Sequence, residues 1–446
     1  MHDDTPGDDG HEPAPASGTR RVLGLSPTAW VLVAMGAGVA VGVAFPGRGA
    51  ATPGFDGGDL KIFSDVFIRA VKMIVAPILV ATLVLGIAGH GSDLRSVGRL
   101  AGRSFVYFLV STTLALTLGI GAALVVRPGD DPALRAALAA VDPSDVPDLA
   151  VPRTLLDHVR EAIPVSVVDA LATNNVLQIV VFSLVFGAAL AGVSGRPKEA
   201  MLAFFEGLAE TLFRLVGYVM WLLPTGVMGA MAVAVAQSGV GVLRPLLWLV
   251  ATVYAGLAVY LVGVLLPVAR VAGVPLRAFW RAMRGPALIA FTTTSSDAAL
   301  PLAMRRMEDL GVPRRVAAFV LSTGLSFNLA GSTLYLAVAT LFVAQAAGVP
   351  FPPSKLVLLV ATLTLTTKGI AAVPRASLVI LSGTLAAFGL PLDGIALILG
   401  VDQAMDMART GTNTLGNGLA SAVMARWEGE VLGPAPAVAL GTTPRG

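Results

Sequence analysis

The sequence predicts an all-α polytopic membrane protein, and three observations carry that prediction. Hydrophobic residues make up 55% of the 446-residue chain, charged residues only 13%, and the mean hydropathy is +0.79, whereas soluble domains carry about 25% charged residues. The apolar residues form continuous Leu/Val/Ala/Ile runs, not the alternating segments of about ten residues that an outer-membrane barrel requires. Runs of this kind suit helices, which satisfy their own backbone hydrogen bonds inside a bilayer.

Composition also excludes several kinds of chemistry. The 31 basic and 28 acidic residues nearly cancel to +3, so no nucleic-acid partner is implied. There is no cysteine, which removes disulfides, thiolate metal sites and cysteine nucleophiles. The four histidines, His2, His11, His90 and His158, lie outside the strongly apolar runs. An imidazole base or metal cluster at membrane depth is therefore not expected.

Residues 1–24 are acidic and proline-rich without an apolar core, so they read as a disordered cytoplasmic tail and not a signal peptide. A membrane domain is expected over 25–428, followed by a cytoplasmic tail, 429–446. The first span, 26–46, follows Arg20 and Arg21, which hold the N-terminus inside a cell inner (plasma) membrane. Further spans are expected at 62–88, 105–126, 175–193, 201–236 with a bend at Pro224, and 246–268. Alternating sides from a cytoplasmic start places Arg95, Arg99 and Arg103, then Arg196 and Lys198, then Arg270, Arg277, Arg281 and Arg284 inside. That agrees with the positive-inside rule. Residues 127–172 mix Pro, Asp and Arg into short apolar stretches and read as an extracellular excursion.

After Arg284 the pattern changes. Segments 285–311 and 352–389 are long enough to enter the membrane but are interrupted at the centre. The first carries Phe-Thr-Thr-Thr-Ser-Ser-Asp-Ala-Ala-Leu-Pro from Phe291 to Pro301; the second carries Thr-Thr-Lys-Gly-Ile-Ala-Ala-Val-Pro-Arg-Ala-Ser from Thr366 to Ser377. Each precedes a long apolar helix, 316–347 and 395–425. Irregular backbone at mid-membrane is tolerated only where it is buried in protein or lines a cavity, so both segments read as re-entrant helical hairpins. Two slightly polar spanning helices are the alternative. With the six earlier spans the pattern gives eight transmembrane helices and two hairpins, and the repeated hairpin-plus-helix unit is the signature of an inverted-repeat transporter.

The last helix supplies the chemistry. Asp402, Asp406, Arg409 and Asn413 are separated by 4, 3 and 4 positions, which places them on one stripe about 60° wide. Thr410 and Asn417 border it. Ionisable groups in a membrane must face protein or water, although Asp406 and Arg409 at i and i+3 can also simply neutralise each other. In the preceding helix, Ser326-Phe327-Asn328-Leu329-Ala330-Gly331-Ser332 interrupts an apolar run. An unwound turn there would offer carbonyls to a hard cation; close helix packing through small residues is the other reading. An enzyme is not expected, because no base is at hand to activate the Thr292–Ser296 hydroxyls. Asp402 and Asp406 sit on one helix, and an aspartyl dyad converges from two elements. A passive channel would need a continuous polar pore, and here polar residues gather at one depth.

These motifs together resemble one family. The serine-rich tip followed by Ala-Leu-Pro, Asn-Leu-Ala-Gly-Ser, Ala-Ala-Val-Pro, and Val-Asp-Gln-Ala-Met-Asp-Met-Ala-Arg-Thr-Gly-Thr-Asn-Thr-Leu-Gly-Asn occur in the order seen in the dicarboxylate/amino acid:cation symporters. Ala70-Val71-Lys72-Met73-Ile74-Val75-Ala76-Pro77 is similar to that family's second helix, and the resemblance runs from about Val22 to Trp427. It implies an elevator-type homotrimer with a scaffold part (26–88 and 175–236) and a transport part (105–126 and 246–426, with both hairpins). It implies that the small anionic substrate sits between the hairpin tips. Asp406 matches the residue that holds the substrate ammonium, Arg409 the one that holds its side-chain carboxylate, and Thr410 and Asn413 those near the α-carboxylate and amino group. Ser295 and Ser296 match the first tip, Val373 and Pro374 the second, and Ser332 joins this substrate-binding set. Asn328, Asn413 and Asn417 are candidate Na⁺ ligands, Asp402 and Asp406 candidate proton carriers. No cofactor is implied beyond the coupling ion, H⁺ and/or Na⁺.

Departures from the family pattern matter too. Ala330 and Asn417 stand where members with several sodium sites have aspartates, so two anionic cation ligands are missing, and Ser111, Thr112, Ser332 and amide oxygens are what remain. Arg375 replaces the glycine of archaeal aspartate transporters and either meets an acidic substrate or snorkels outward. Asp406 favours an amino acid and Arg409 an acidic one. The expected function is therefore symport of glutamate or aspartate, with C4-dicarboxylates (succinate, fumarate, malate) as the runner-up and a passive channel as the distant alternative.

Overall fold

The computed structural model describes residues 27–47, 54–88, 94–139, 163–173, 176–367 and 376–433. All regular structure among them is helical. α1 (Pro27–Ala44) leads through a 3₁₀ turn, Gly57–Leu60, into α2 (Lys61–Ala88). Asp56 caps that turn, taking the Gly58 N–H on Oδ1 at 2.6 Å while its own N–H donates to Asp59 Oδ2 at 3.1 Å. Two otherwise orphaned donors are thereby satisfied. α3 (Leu94–Val126), α4 (Pro132–Ala139), α5 (Val167–Ala172), α6 (Val176–Ala191), α7 (Arg196–Met220) and α8 (Leu223–Ser238) follow. α9 (Leu243–Tyr260) runs through a π-helical turn, Leu261–Leu265, into α10 (Leu266–Val271).

The second half begins with α11 (Leu276–Thr293) and α12 (Ser296–Asp309), packed against each other across a two-residue break. The break is where the sequence predicts it, but α11 starts well before residue 285 and takes in Arg277, Arg281 and Arg284. α13 (Arg314–Phe327) and α14 (Ala330–Ala346) are separated at Asn328–Leu329, inside the expected interruption. α15 (Pro353–Thr366) and α16 (Ala376–Ala387) flank the second tip, whose residues Lys368 to Arg375, including Val373 and Pro374, lie outside the described residues. α17 (Asp393–Trp427) is one unbroken helix of 35 residues. Of the segment expected to be extracellular, 127–172, only residues 127–139 and 163–172 are described, and both expected tails lie almost wholly outside the described residues.

Arg99–Val126, Val240–Val271 and Arg314–Ala346 are each long and apolar enough to cross a membrane, where the sequence suggests eight spans. α7 and α8 add a fourth if their 48° bend is taken as one broken span. The bend falls at Trp221–Leu222, leaving Pro224 in the first turn of α8, where its missing N–H costs nothing. The remaining candidates fall short for physical reasons. α1 offers only the shorter apolar stretch Ala29–Ala44, α2 carries Lys61, Asp65, Arg69 and Lys72 in its first half, and α17 carries the polar stripe.

Packing divides the helices into two groups. α1 lies along α8, and α2 packs on α6, α7 and α8; α3 lies along α14, while α17 contacts α9, α11, α13 and α14. The groups meet where α8 touches α17 and α16 touches α2. α14 is the centre of the second group: every residue except Gln345 is buried, which explains a helix apolar on all sides. Exposed Phe105, Val106, Leu109 and Val110 on α3 and Leu247, Trp248 and Val262 near α9 present apolar side chains outward, as a lipid-facing surface does.

Gln345 joins two of these elements. Its Nε2 donates to the Ala123 carbonyl at 2.9 Å and its Oε1 accepts the Gly129 N–H at 3.0 Å, so it caps the end of α3 where Arg127 turns at φ +49°. Gln345→Leu removes both bonds and leaves the partly buried Gly129 N–H unmet, while the Ala123 carbonyl keeps the Arg127 N–H at 3.0 Å; the expected loss is roughly 1–2 kcal/mol. Thermal unfolding in detergent checks this; an unchanged midpoint would contradict the capping role.

Candidate functional site

Helix periodicity brings the α17 stripe together at the centre of the protein. Asp402, Asp406, Arg409, Asn413 and Asn417 are all buried. Arg409 donates from Nε to Asp406 Oδ1 at 2.9 Å and from Nη1 to Asp402 Oδ1 at 3.0 Å. Thr410 donates to the same Asp406 oxygen at 3.2 Å, and the guanidinium carbon lies 4.1 Å from the centroid of the Tyr335 ring. The mutual neutralisation of Asp406 and Arg409 thus does occur, with Asp402 added one turn earlier. Burying three ionisable groups is tolerable only because they pair so closely. The pairing is incomplete: Arg409 Nη2 and Asp402 Oδ2 are buried without a hydrogen-bond partner.

The break between α13 and α14 is fastened to this stripe by amides. Asn413 accepts the Gly331 N–H on Oδ1 at 2.8 Å and donates from Nδ2 to Ser332 Oγ at 3.0 Å. Asn328 Nδ2 donates to Asn417 Oδ1 at 2.9 Å. The contact is close enough to require glycine: a Cβ on Gly331 would lie 2.6 Å from the Arg409 carbonyl oxygen, and one on Gly324 would lie 2.6 Å from Asn417 Oδ1. Small-residue packing and an unwound turn, alternatives from sequence, are therefore both present.

The expected cation ligands fare unevenly. Both polar atoms of Asn413 and the oxygen of Asn417 are engaged within the protein, while Asn328 Oδ1 has no partner. Ala330 adds a buried methyl group. Ser111 shares a 2.6 Å hydrogen bond with Tyr260, and Thr112 donates to the Phe108 carbonyl at 2.7 Å. No cluster of three or more His, Cys, Asp or Glu that could hold a metal occurs among the described residues. Only neutral oxygens are offered around Asn328, and neutral oxygens hold a cation less tightly than carboxylates do.

At the first tip, Thr294 adopts a left-handed conformation at φ +53° and ends α11. Ser295 caps α12, its Oγ accepting the Ala298 N–H at 3.3 Å. Ser296 is buried, and Thr414 of α17 donates to its Oγ at 3.5 Å. Ser296, Ser332, Asp406, Arg409, Thr410 and Asn413 are thus joined to one helix, whereas Ser295 serves the turn itself. Val373 and Pro374, expected to complete the set, and Arg375 lie outside the described residues. Sequence reasoning missed Tyr335, Thr414 and Tyr254, whose OH donates to the Ala404 carbonyl at 2.8 Å. Counting faces finds two of them: Tyr335 lies three residues after Ser332, and Thr414 four after Thr410.

Comparison with known proteins identifies the family of the chain. The model of the sodium:dicarboxylate symporter family matches residues 28–427. The chain is 42% identical over 426 residues to the C4-dicarboxylate transport protein of Anaeromyxobacter sp. (strain K), covering 93% of this chain and 92% of that one. It is 36% identical over 374 residues to the proton/sodium-glutamate symport protein of Geobacillus stearothermophilus, covering 83% and 88%. A C4-dicarboxylate transport protein of Rhizobium etli is 38% identical over 409 residues, covering 90% and 89%. With the family match spanning residues 28–427 and these relatives aligned over most of their lengths, the protein belongs to the sodium:dicarboxylate symporter family and is a transporter, not an enzyme.

Proposed function

We propose that this chain imports an acidic amino acid, glutamate or aspartate, by symport with H⁺ and/or Na⁺. The observation that carries this reading is the buried Arg409 guanidinium, whose Nη2 has no hydrogen-bond partner while Nε and Nη1 each donate to an aspartate. A planar guanidinium binds a carboxylate with two donors at once, so the substrate's side-chain carboxylate takes Nη2 and displaces an aspartate. Asp406 then turns to the substrate ammonium, with Thr410, Asn413, Ser295, Ser296 and Ser332 around the α-carboxylate. Val373 and Pro374 are proposed to close the site from the second tip.

Charge explains the coupling. With both aspartates ionised, Asp402, Asp406 and Arg409 sum to one negative charge, and an acidic amino acid adds another, so cations must enter with it to limit the cost of burying them. With Ala330 and Asn417 in place of carboxylates, fewer sodium ions are held, and a proton on Asp402 or Asp406 is the substitute. Asn328, Asn413 and Asn417 remain the proposed positions for a weakly held Na⁺.

The second reading is a C4-dicarboxylate symporter. It is favoured by the identity to relatives bearing that name, 42% and 38%, against 36% for the glutamate symport protein. Arg409 serves either substrate; Asp406 separates them, because a dicarboxylate has no ammonium to meet it. For the architecture, we infer eight spans, two re-entrant hairpins and an elevator-type trimer in the inner (plasma) membrane, with both termini cytoplasmic. The two packing groups support a scaffold of 26–88 and 175–236 against a moving part of 105–126 and 246–426.

Arg409→Lys keeps a positive charge between the two aspartates but loses the planar fork. Its uptake of glutamate and aspartate in proteoliposomes should fall at least about tenfold in kcat/KM, a transition-state loss of ~1.4 kcal/mol. Wild-type affinity in a normally folded variant would remove Arg409 from substrate binding. Coupling is checked by imposing an inward pH gradient without Na⁺, then an inward Na⁺ gradient at uniform pH. Uphill accumulation is expected with the pH gradient alone, or with a shallow dependence on Na⁺. Accumulation that ignores pH and rises with the third power of Na⁺ concentration would refute the reduced-sodium reading.

A further inference from the structure

The helix leading to the first tip carries a basic stripe that the transport chemistry does not use. Arg277, Arg281 and Arg284 of α11 are separated by four and three positions, with Leu288 four further on. At the helical period these four fall within a stripe about 60° wide. All four are exposed, as is Trp280 beside them, while Met283, Pro286, Ala287 and Ala290 on the opposite face are buried.

Among the described residues nothing neutralises the stripe. Arg281 gives its Nε to the Arg277 carbonyl at 3.3 Å, and none of the three guanidiniums has a carboxylate partner among the described residues. The sequence supplies the reason: no Asp or Glu occurs from Thr211 to Ser296. Exposed arginines elsewhere do find partners, Arg135 with Asp130, Arg306 with Asp309 and Arg315 with Glu428.

We propose that Arg277, Arg281 and Arg284 bind the phosphate headgroups of anionic phospholipids, with Trp280 beside them at headgroup depth and Leu288 against the acyl chains. Charge complementarity selects an anion, and the guanidinium fork suits a phosphate. The order along the stripe, basic and then apolar with a tryptophan at its border, matches a helix passing through a headgroup layer into hydrocarbon. Exposed Leu288, further along the same face, adds an apolar contact that a lipid satisfies and free phosphate does not. The inference needs a bilayer around the chain and is independent of the substrate and of the coupling ion.

The full chain, reconstituted in mixed phosphatidylcholine and phosphatidylglycerol vesicles, is extracted with its surrounding lipid by styrene–maleic acid polymer, and the lipid ratio is measured. Wild type should retain phosphatidylglycerol at least about twofold above its bulk share. Arg277→Gln/Arg281→Gln/Arg284→Gln should return to the bulk ratio, and the corresponding triple Lys variant should stay enriched. A bulk ratio in wild type, or equal enrichment in the Gln variant, overturns the proposal. So does loss of enrichment in inorganic phosphate where chloride at the same ionic strength leaves enrichment intact, which would assign the stripe to any phosphate. Should the Gln variant fail to accumulate, wild type is measured in about 1 M salt, where screened headgroup contacts must weaken; enrichment that persists there overturns the proposal equally.

Discussion

A guanidinium held in the protein interior between two carboxylates of its own helix is the constraint on which the rest of this structure depends. Arg409 is 1% exposed, and an isolated charge at that depth costs many times what folding yields. The bonds from Asp402 and Asp406, and the Tyr335 ring beneath, make the burial tolerable. Because those three charges lie on one helix, α17 must keep its period through residues 402–409, and it does so without a break while its neighbours unwind. The same pairing leaves donor capacity unspent, and a site that binds an acid needs that capacity.

The surrounding elements are shaped by the need to enclose this cluster. α13 and α14 separate at Asn328–Leu329 so that Gly331 and Ser332 can meet Asn413, and the two glycines at the approach leave no room for a side chain. α11 and α12 separate at Thr294 so that Ser296 reaches Thr414. Each break gives up backbone hydrogen bonds, and each is compensated by amide, hydroxyl or capping contacts at the same point. α14, buried on every side, is the wall against which both α3 and α17 rest.

Much of this was legible in the chain because membrane physics allows few solutions. Charged and amide residues at offsets of 4, 3 and 4 in an apolar run have one sensible disposition, and Asp402, Asp406, Arg409 and Asn413 adopt it. The breaks at Thr294 and Asn328 were marked by clusters of hydroxyl residues or glycine in apolar surroundings. Tyr335 shares a helix face with Ser332 yet is easily passed over, because an aromatic in an apolar helix reads as packing until the arginine against its ring is placed. The early start of α11 was missed for the opposite reason: Arg277, Arg281 and Arg284 read as a loop between spans, whereas they continue the helix with their charges outward. The engagement of Ser111 by Tyr260 depends on a neighbouring helix and has no local signature.

The central claim is that Asp406, left over when Arg409 takes a carboxylate, selects a substrate with an ammonium group. The most direct measurement is competition against radiolabelled L-glutamate uptake by the wild-type protein in proteoliposomes under an inward cation gradient. Unlabelled glutamate and aspartate should suppress uptake, and succinate at equal concentration should leave it nearly intact. Succinate competing as well as glutamate would contradict the claim and make this chain a C4-dicarboxylate symporter.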